Sequence, residues 1–171
     1  MIADRLKWYL EKKGIFSPTQ SGFRHNRCTL DHILKFHHQV SKNISEKRYV
    51  VAVFLDLERA YDMVWRKGLL AKMFYLGLRG KLLRWLTNFL SERSFRVRLG
   101  SAESDKFTLQ NGIVQGSVLS PLLFAIMIND LPACLTINNA LFADDLAIWD
   151  SGKKLPETVK SIQKNLDIIS D

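Results

Sequence analysis

LFADDLAIW, Leu141 to Trp149, sets two short apolar runs on either side of a pair of adjacent carboxylates. Runs of this length, rich in apolar and aromatic residues and broken by two acids, read as the arms of a β-hairpin with Asp144 and Asp145 at its tip. A lone acid stands earlier in the chain. Asp56 closes Arg48 to Leu55, a near-continuous β-branched and aromatic run that predicts a strand buried on both faces. An unpaired carboxylate at the end of such a strand costs several kcal/mol, roughly what protonation or a bound cation must offset. Asp144 and Asp145 repel each other unless a cation or water intervenes. Strand ends that bring Asp56 toward Asp144 suit a two-magnesium phosphoryl-transfer centre, where hard cations need oxygen ligands and negative charge accumulates. Taken alone, the same letters also fit a solvated Asp-Asp turn with an incidental Asp56.

Outward from these acids, the pattern predicts a layered domain. Ile2, Leu6 and Leu10 recur at helical spacing before Gly14, and Ile15 to Asn26 reads as a loop containing Pro18, Gly22, Arg24 and His25. A second helix is expected from Thr29, and an αα hairpin over Val64 to Leu78 and Leu82 to Leu90. Phe95, Val97 and Leu99 alternate with Arg96 and Arg98, which predicts a strand with one apolar and one basic face. Asn111 and Gly112 mark a turn. Ser120 and Pro121 suit the N-cap and first turn of an apolar helix, Leu122 to Leu131, that Pro132 closes. Leu155, Val159, Ile162, Leu166 and Ile169 form a last helical stripe. The expected class is α+β, resembling an α/β sandwich, with an antiparallel sheet covered by helices on one face.

Bulk properties narrow the possibilities. The 171 residues, 47% hydrophobic, are enough for one folded domain with a real core. Lys and Arg outnumber Asp and Glu by 25 to 17, a net charge of +8, so a polyanion is a natural partner, although charge alone fits any basic soluble protein equally well. Two cysteines, Cys28 and Cys134, make no disulfide framework and favour a reducing intracellular compartment. No stretch is long enough to span a membrane, and the first ten residues lack the apolar core of a secretory signal. Cys28 and His32, followed by His37 and His38, fall short of the closed ligand set that zinc needs.

Four ordered stretches carry a resemblance. TQSGFRHNRCTLD (Thr19 to Asp31), VVAVFLDLERAYDMVW (Val50 to Trp65), NGIVQGSVLSPLLFAIMINDL (Asn111 to Leu131) and LFADDLAIW together resemble the reverse transcriptases of non-LTR, LINE-type retrotransposons, in particular the jockey-like branch. The resemblance implies an RNA-directed DNA polymerase, a nucleotidyltransferase using an RNA template, a DNA primer and dNTPs, inside a ribonucleoprotein in nucleus or cytoplasm. It implies that Asp56 and Asp144 hold two Mg2+ ions, or Mn2+ in their place, with the Leu57 carbonyl as a further ligand and Asp145 as a supporting acid. One ion would then activate the primer 3′-hydroxyl and the other would neutralise the triphosphate. Tyr61 would lie under the incoming sugar and exclude a 2′-hydroxyl, with Gln115 and Gly116 near the nascent pair. Asp62 would support local structure.

Arg24 and Arg27 would meet template or nucleotide phosphates, while Arg96 and Arg98 would either track a nucleic-acid backbone or serve as solvated surface charge. The sequence departs from the family pattern at Val114, where proline usually precedes the glutamine, and at Phe142, where many relatives have tyrosine. By the same resemblance, residues 1–48 are part of the fingers and 49–171 the palm, with an earlier fingers motif and the later thumb outside the chain. A second reading is a retroelement remnant that binds nucleic acid without synthesis, and a third is a domesticated structural module.

Overall fold

In chain order, the computed structural model, which describes residues 1–170, contains α1 (Ile2–Lys12), α2 (Thr29–Ser45), β1 (Tyr49–Asp56), α3 (Arg66–Tyr75) and α4 (Gly80–Leu90). The short strands β2 (Ser94–Phe95), β3 (Arg98–Leu99), β4 (Ala102–Glu103) and β5 (Phe107–Thr108) follow. Then come α5 (Ser120–Met127), α6 (Leu131–Cys134), β6 (Asn138–Phe142), β7 (Asp145–Gly152) and α7 (Leu155–Ser170). The α+β class expected from the sequence holds. Two compact units make up the chain, one from residues 1–58 and 128–171, the other from 59–127.

The first unit is organised by an antiparallel sheet in the order β1-β7-β6. Because side chains alternate along a strand, the two faces separate cleanly. Val51, Val53 and Leu55 of β1 share one face with Leu146 and Ile148 of β7 and Leu141 of β6, and Ile162, Leu166 and Ile169 of α7 close over them. Each fully buried aliphatic side chain here contributes about 1.5–3 kcal/mol, so this face is the core and α7 is its helical cover. On the other face, Phe36 of α2 meets Phe54 and Trp149 edge-on, with ring centroids 5.8 and 5.2 Å apart. The Trp149 indole donates to Gln39 Oε1 at 2.6 Å. That contact is light, since no residue of α2 is buried.

Three expectations about elements are corrected. β1 is not buried on both faces: none of its residues is fully buried and Phe54 is 70% exposed, because β1 is an edge strand and α2 reaches only part of its outer face. In the second unit, Phe95 to Leu99 is not one strand. Two-residue ladders, β2 with β5 and β3 with β4, flank Arg96 and Val97, and every residue in them is exposed, so no buried face enforces a longer pairing. Finally, α5 ends at Met127, and Pro132 lies in the first turn of α6 rather than closing a longer helix, consistent with proline's tolerance at a helix start.

The rest of the second unit follows the sequence pattern. α3 and α4 form the expected helical hairpin, with Leu69, Met73, Leu86 and Leu90 buried. α5 carries buried residues from Leu122 through Ile126, which suits a helix with apolar residues all round. Among the described residues no helix is long and apolar enough to cross a membrane.

Candidate active site

The acidic turn is set by hairpin register. Phe142 pairs with Asp145, so Ala143 and Asp144 occupy the turn, and Asp145, expected at the tip beside Asp144, instead opens β7. Ala143 has φ +57° while Asp144 does not share a positive φ, so the first of the two turn residues takes a backbone sign that glycine usually supplies in two-residue hairpins. An L-residue in this region costs roughly 1–2 kcal/mol, so something outside the hairpin must hold it. Asp56 is the register partner of Asp145, which puts both side chains on the α2 face of the sheet. Both are exposed and Asp144 is half-buried. Leu57 is the residue immediately beyond β1.

Like charges directly opposite on neighbouring strands disfavour each other unless a cation sits with them. Among the described residues, no three His, Cys, Asp or Glu side chains cluster as a ready-made metal cage. Magnesium does not need one. It is typically held by one or two carboxylates with water and substrate phosphates completing an octahedron, and facing acids on an open strand end suit that arrangement. The acids open onto a cleft of about 380 Å³, lined by Asp56, Asp145, Phe54, Phe142, His32 and Ile33. Burial pulls the His32 imidazole below its ordinary value of 6.5, against a smaller opposing effect of the Leu141 backbone.

The second unit gathers the residues expected to meet nucleotide. Tyr61, Gln115 and Gly116 line one concavity of about 450 Å³ together with Ser117, Val118 and Pro121. Tyr61 stacks on Phe124 at 5.2 Å with planes 18° apart, which fixes its ring as a plate. Gln115 Nε2 donates to Asp62 Oδ1 at 3.0 Å. Gly116 has φ +82°, a conformation glycine adopts without steric cost.

Behind this concavity, Arg66 donates to the carbonyls of Gly112, Leu109 and Asn111 at 2.6, 2.8 and 2.8 Å. A Cβ on Gly112 would lie 2.8 Å from the Asp62 carbonyl oxygen, so the two segments meet backbone to backbone. Ser120, expected as an N-cap, instead donates its hydroxyl to the Val114 carbonyl. That bond ties the helix start to the loop carrying Gln115.

The arginines divide. Arg24, expected at phosphate, is turned inward: its guanidinium grips both Glu11 carboxylate oxygens at 2.9 and 2.8 Å and donates to the Ser17 and Gln20 carbonyls. Its side chain is only 11% exposed, and the Arg24 guanidinium holds the Glu11 carboxyl below its ordinary value of 4.5. Arg27 is exposed. Arg96 reaches Glu103 at 3.5 Å and Arg98 donates to the Gly100 carbonyl at 3.2 Å, both at the surface. Sequence reasoning missed the clamp made by Arg66, which stands beside Lys67 between Val64 and Leu69 and carries no local sign of which of the two cations turns inward. It also missed Asn129, whose amide accepts from Ser17 N–H and donates to the Ile15 carbonyl, both at 2.8 Å.

The site is thus the end of an antiparallel sheet where two carboxylates face each other, with helices on both faces of the sheet. The chain belongs to the reverse transcriptase (RNA-dependent DNA polymerase) family, whose model matches residues 1–169. It is 29% identical, over 99% of its length, to a probable RNA-directed DNA polymerase from transposon BS of Drosophila melanogaster. Over 86% of its length it is 30% identical to the RNA-directed DNA polymerase from mobile element jockey of the same fly, so the non-LTR resemblance holds. The chain spans about a fifth of the length of these relatives, 20% and 17% respectively. Telomerase from Candida albicans, solved in complex with a fragment of telomeric RNA, shares the fold with a TM-score of 0.71 at 10% identity, covering 99% of this chain and 32% of that one. Reverse transcriptases generally use divalent metal ions.

Proposed function

We propose that this chain forms the catalytic part of an RNA-directed DNA polymerase that adds deoxynucleotides to a primer 3′-hydroxyl opposite an RNA template. The observation that carries the reading is the register pairing of Asp56 with Asp145 beside Asp144, in a chain whose family is that of reverse transcriptases. Asp56 and Asp144 would hold two Mg2+ ions, or Mn2+ in their place, with the Leu57 carbonyl as a further ligand and Asp145 supporting them. Bound there, divalent ions would polarise the attacking hydroxyl and offset charge on the triphosphate.

Within the second unit, the stacked Tyr61 ring would offer a flat surface to a sugar and exclude a 2′-hydroxyl by shape. Gln115, held by Asp62, and Gly116, which leaves its backbone approachable, would take the nucleotide or its pair. Arg27, Arg96 and Arg98 would meet template or primer phosphates. Residues 1–48 would belong to the fingers and 49–171 to the palm, working in an intracellular ribonucleoprotein of the nucleus or cytoplasm.

Primer extension on an RNA template, within a full-length polymerase carrying this domain, tests the reading. Metal-dependent incorporation should be abolished by Asp144→Asn while RNA–DNA hybrid binding persists. Hybrid binding with no incorporation by the unsubstituted protein would overturn it.

A further inference from the structure

We infer that the loop Thr19 to Gly22 is a brace that sets the position of the acidic turn, and that Gly22 and Arg24 are positioning residues for catalysis. The inference rests on the polymerase reading above and adds what holds its carboxylates in place. The loop joins the free edge of β6 through a single parallel β-bridge. Leu141 N–H donates to the Thr19 carbonyl at 2.8 Å and Ser21 N–H donates to the Leu141 carbonyl at 2.9 Å, with Gln20 as the bridge partner of Leu141. Leu141 lies two residues before Ala143, so this pairing fixes the backbone that enters the turn.

Gly22 then completes the fit. A Cβ at this position would stand 2.2 Å from the Ala143 backbone nitrogen and 2.9 Å from its Cα, so any side chain must push the turn away by about 1 Å to reach ordinary contact. Ala143 is the residue held at φ +57°, next to Asp144. Contact at Gly22 is therefore what opposes relaxation of the strained turn. Gln20, fully buried, accepts from Gly22 N–H at 2.7 Å through its Oε1, and so locks the glycine against its neighbour.

The loop itself is immobilised from behind. Arg24 draws the Ser17 and Gln20 carbonyls together while anchored on Glu11, and Asn129 bonds the Ile15 and Ser17 backbone. Arg24 thus acts on the carboxylates through the Gln20 and Gly22 backbone, and its four hydrogen bonds leave it committed to the protein rather than to a phosphate.

Rapid-quench single-nucleotide incorporation in the full-length polymerase separates this role from folding, because burst amplitude counts active molecules and burst rate reports their chemistry. Gly22→Ala should lower the burst rate about 10- to 100-fold in Mg2+, with amplitude and hybrid affinity retained. The loss should be smaller in Mn2+, since Mg2+ demands near-ideal octahedral geometry. An unchanged burst rate, with or without loss of amplitude, overturns the inference. If Gly22→Ala leaves no folded protein, Arg24→Lys decides: it should lower the burst rate with the salt dependence of hybrid binding intact. An unchanged rate, or a flattened salt dependence marking a phosphate contact, overturns the brace. Absence of incorporation by the unsubstituted protein would instead sink the polymerase reading.

Discussion

Two arginines in this chain do the same job with different partners. Arg24 gathers two carbonyls of the loop behind the acidic turn and balances its charge on Glu11. Arg66 gathers three carbonyls of the loop behind the Tyr61 concavity, and no acid of the described residues forms an ion pair with it. In both places a glycine lets backbone meet backbone, Gly22 against Ala143 and Gly112 against Asp62. A buried guanidinium with five fixed donors can organise an irregular loop that has no ladder of its own. The difference lies in electrostatics. Burial, with a smaller push from Arg93, lowers the Arg66 pKa, whereas the Arg24 charge is neutralised locally and its effect appears on Glu11.

Arg66→Ala should give the largest effect on stability. It strands three carbonyls that this side chain serves, and charged hydrogen bonds are each worth about 1.5–3 kcal/mol, so a net loss on the order of 3 kcal/mol is expected after water re-enters. For a chain of this size that is a fall in Tm on the order of 10 °C, measurable by calorimetry. A change below about 1 kcal/mol would mean that the loop does not depend on its clamp, and the likeness to Arg24 would break there.

Arg24→Ala should cost less, about 2 kcal/mol, because the Glu11 carboxylate left behind is 30% exposed and regains water. Urea unfolding would measure the difference between the two variants. Equal losses would show that the acid partner adds nothing to the clamp.

Glu11 sharpens the same contrast through pH. Its folded-state pKa lies below the ordinary 4.5 because of the Arg24 hydrogen bonds. Its contribution is therefore fully present above about pH 4.5 and is lost as pH falls through the lower folded value. Glu11→Gln should lower stability by about 1 kcal/mol at neutral pH and remove part of the acid dependence below 4.5. An acid profile unchanged by Glu11→Gln would argue that the ion pair is silent. Arg66 has no equivalent, since its clamp involves no group that titrates in this window.

The acidic hairpin was legible because several local signals agree. Leu141 and Phe142 lead in, the Leu146 to Trp149 run leads out, and the turn between them can be nothing longer than two residues once Phe142 meets Asp145. Asp56 was legible as the end of a β-branched run. What the letters could not show was neighbourhood. Nothing in Tyr49 to Leu55 says that one side of the strand meets no partner, so β1 reads as central although it is an edge. Arg24 reads as a phosphate ligand because its actual partner, Glu11, is thirteen residues away across a loop. Phe95 to Leu99 alternates well, yet alternation specifies a long strand only where one face is buried, and here both are exposed.

That exposed ribbon supplies the opposite pole of the comparison and the smallest expected effect on stability. Arg96 and Arg98 make one long contact to Glu103 and one bond to Gly100, both solvent-exposed, and surface pairs of this kind contribute about 0–1 kcal/mol. Replacing both by alanine should leave Tm nearly unchanged. If these side chains track a nucleic-acid backbone, the same double variant should lower the slope of log binding constant against log salt by about 2, one unit for each phosphate that is no longer neutralised. Arg24→Lys, by contrast, should leave that slope alone while slowing chemistry. A double variant that loses stability without changing the salt slope would reverse the roles assigned to the two sets of arginines, making the ribbon structural and reopening the inward-turned guanidinium as a candidate phosphate ligand.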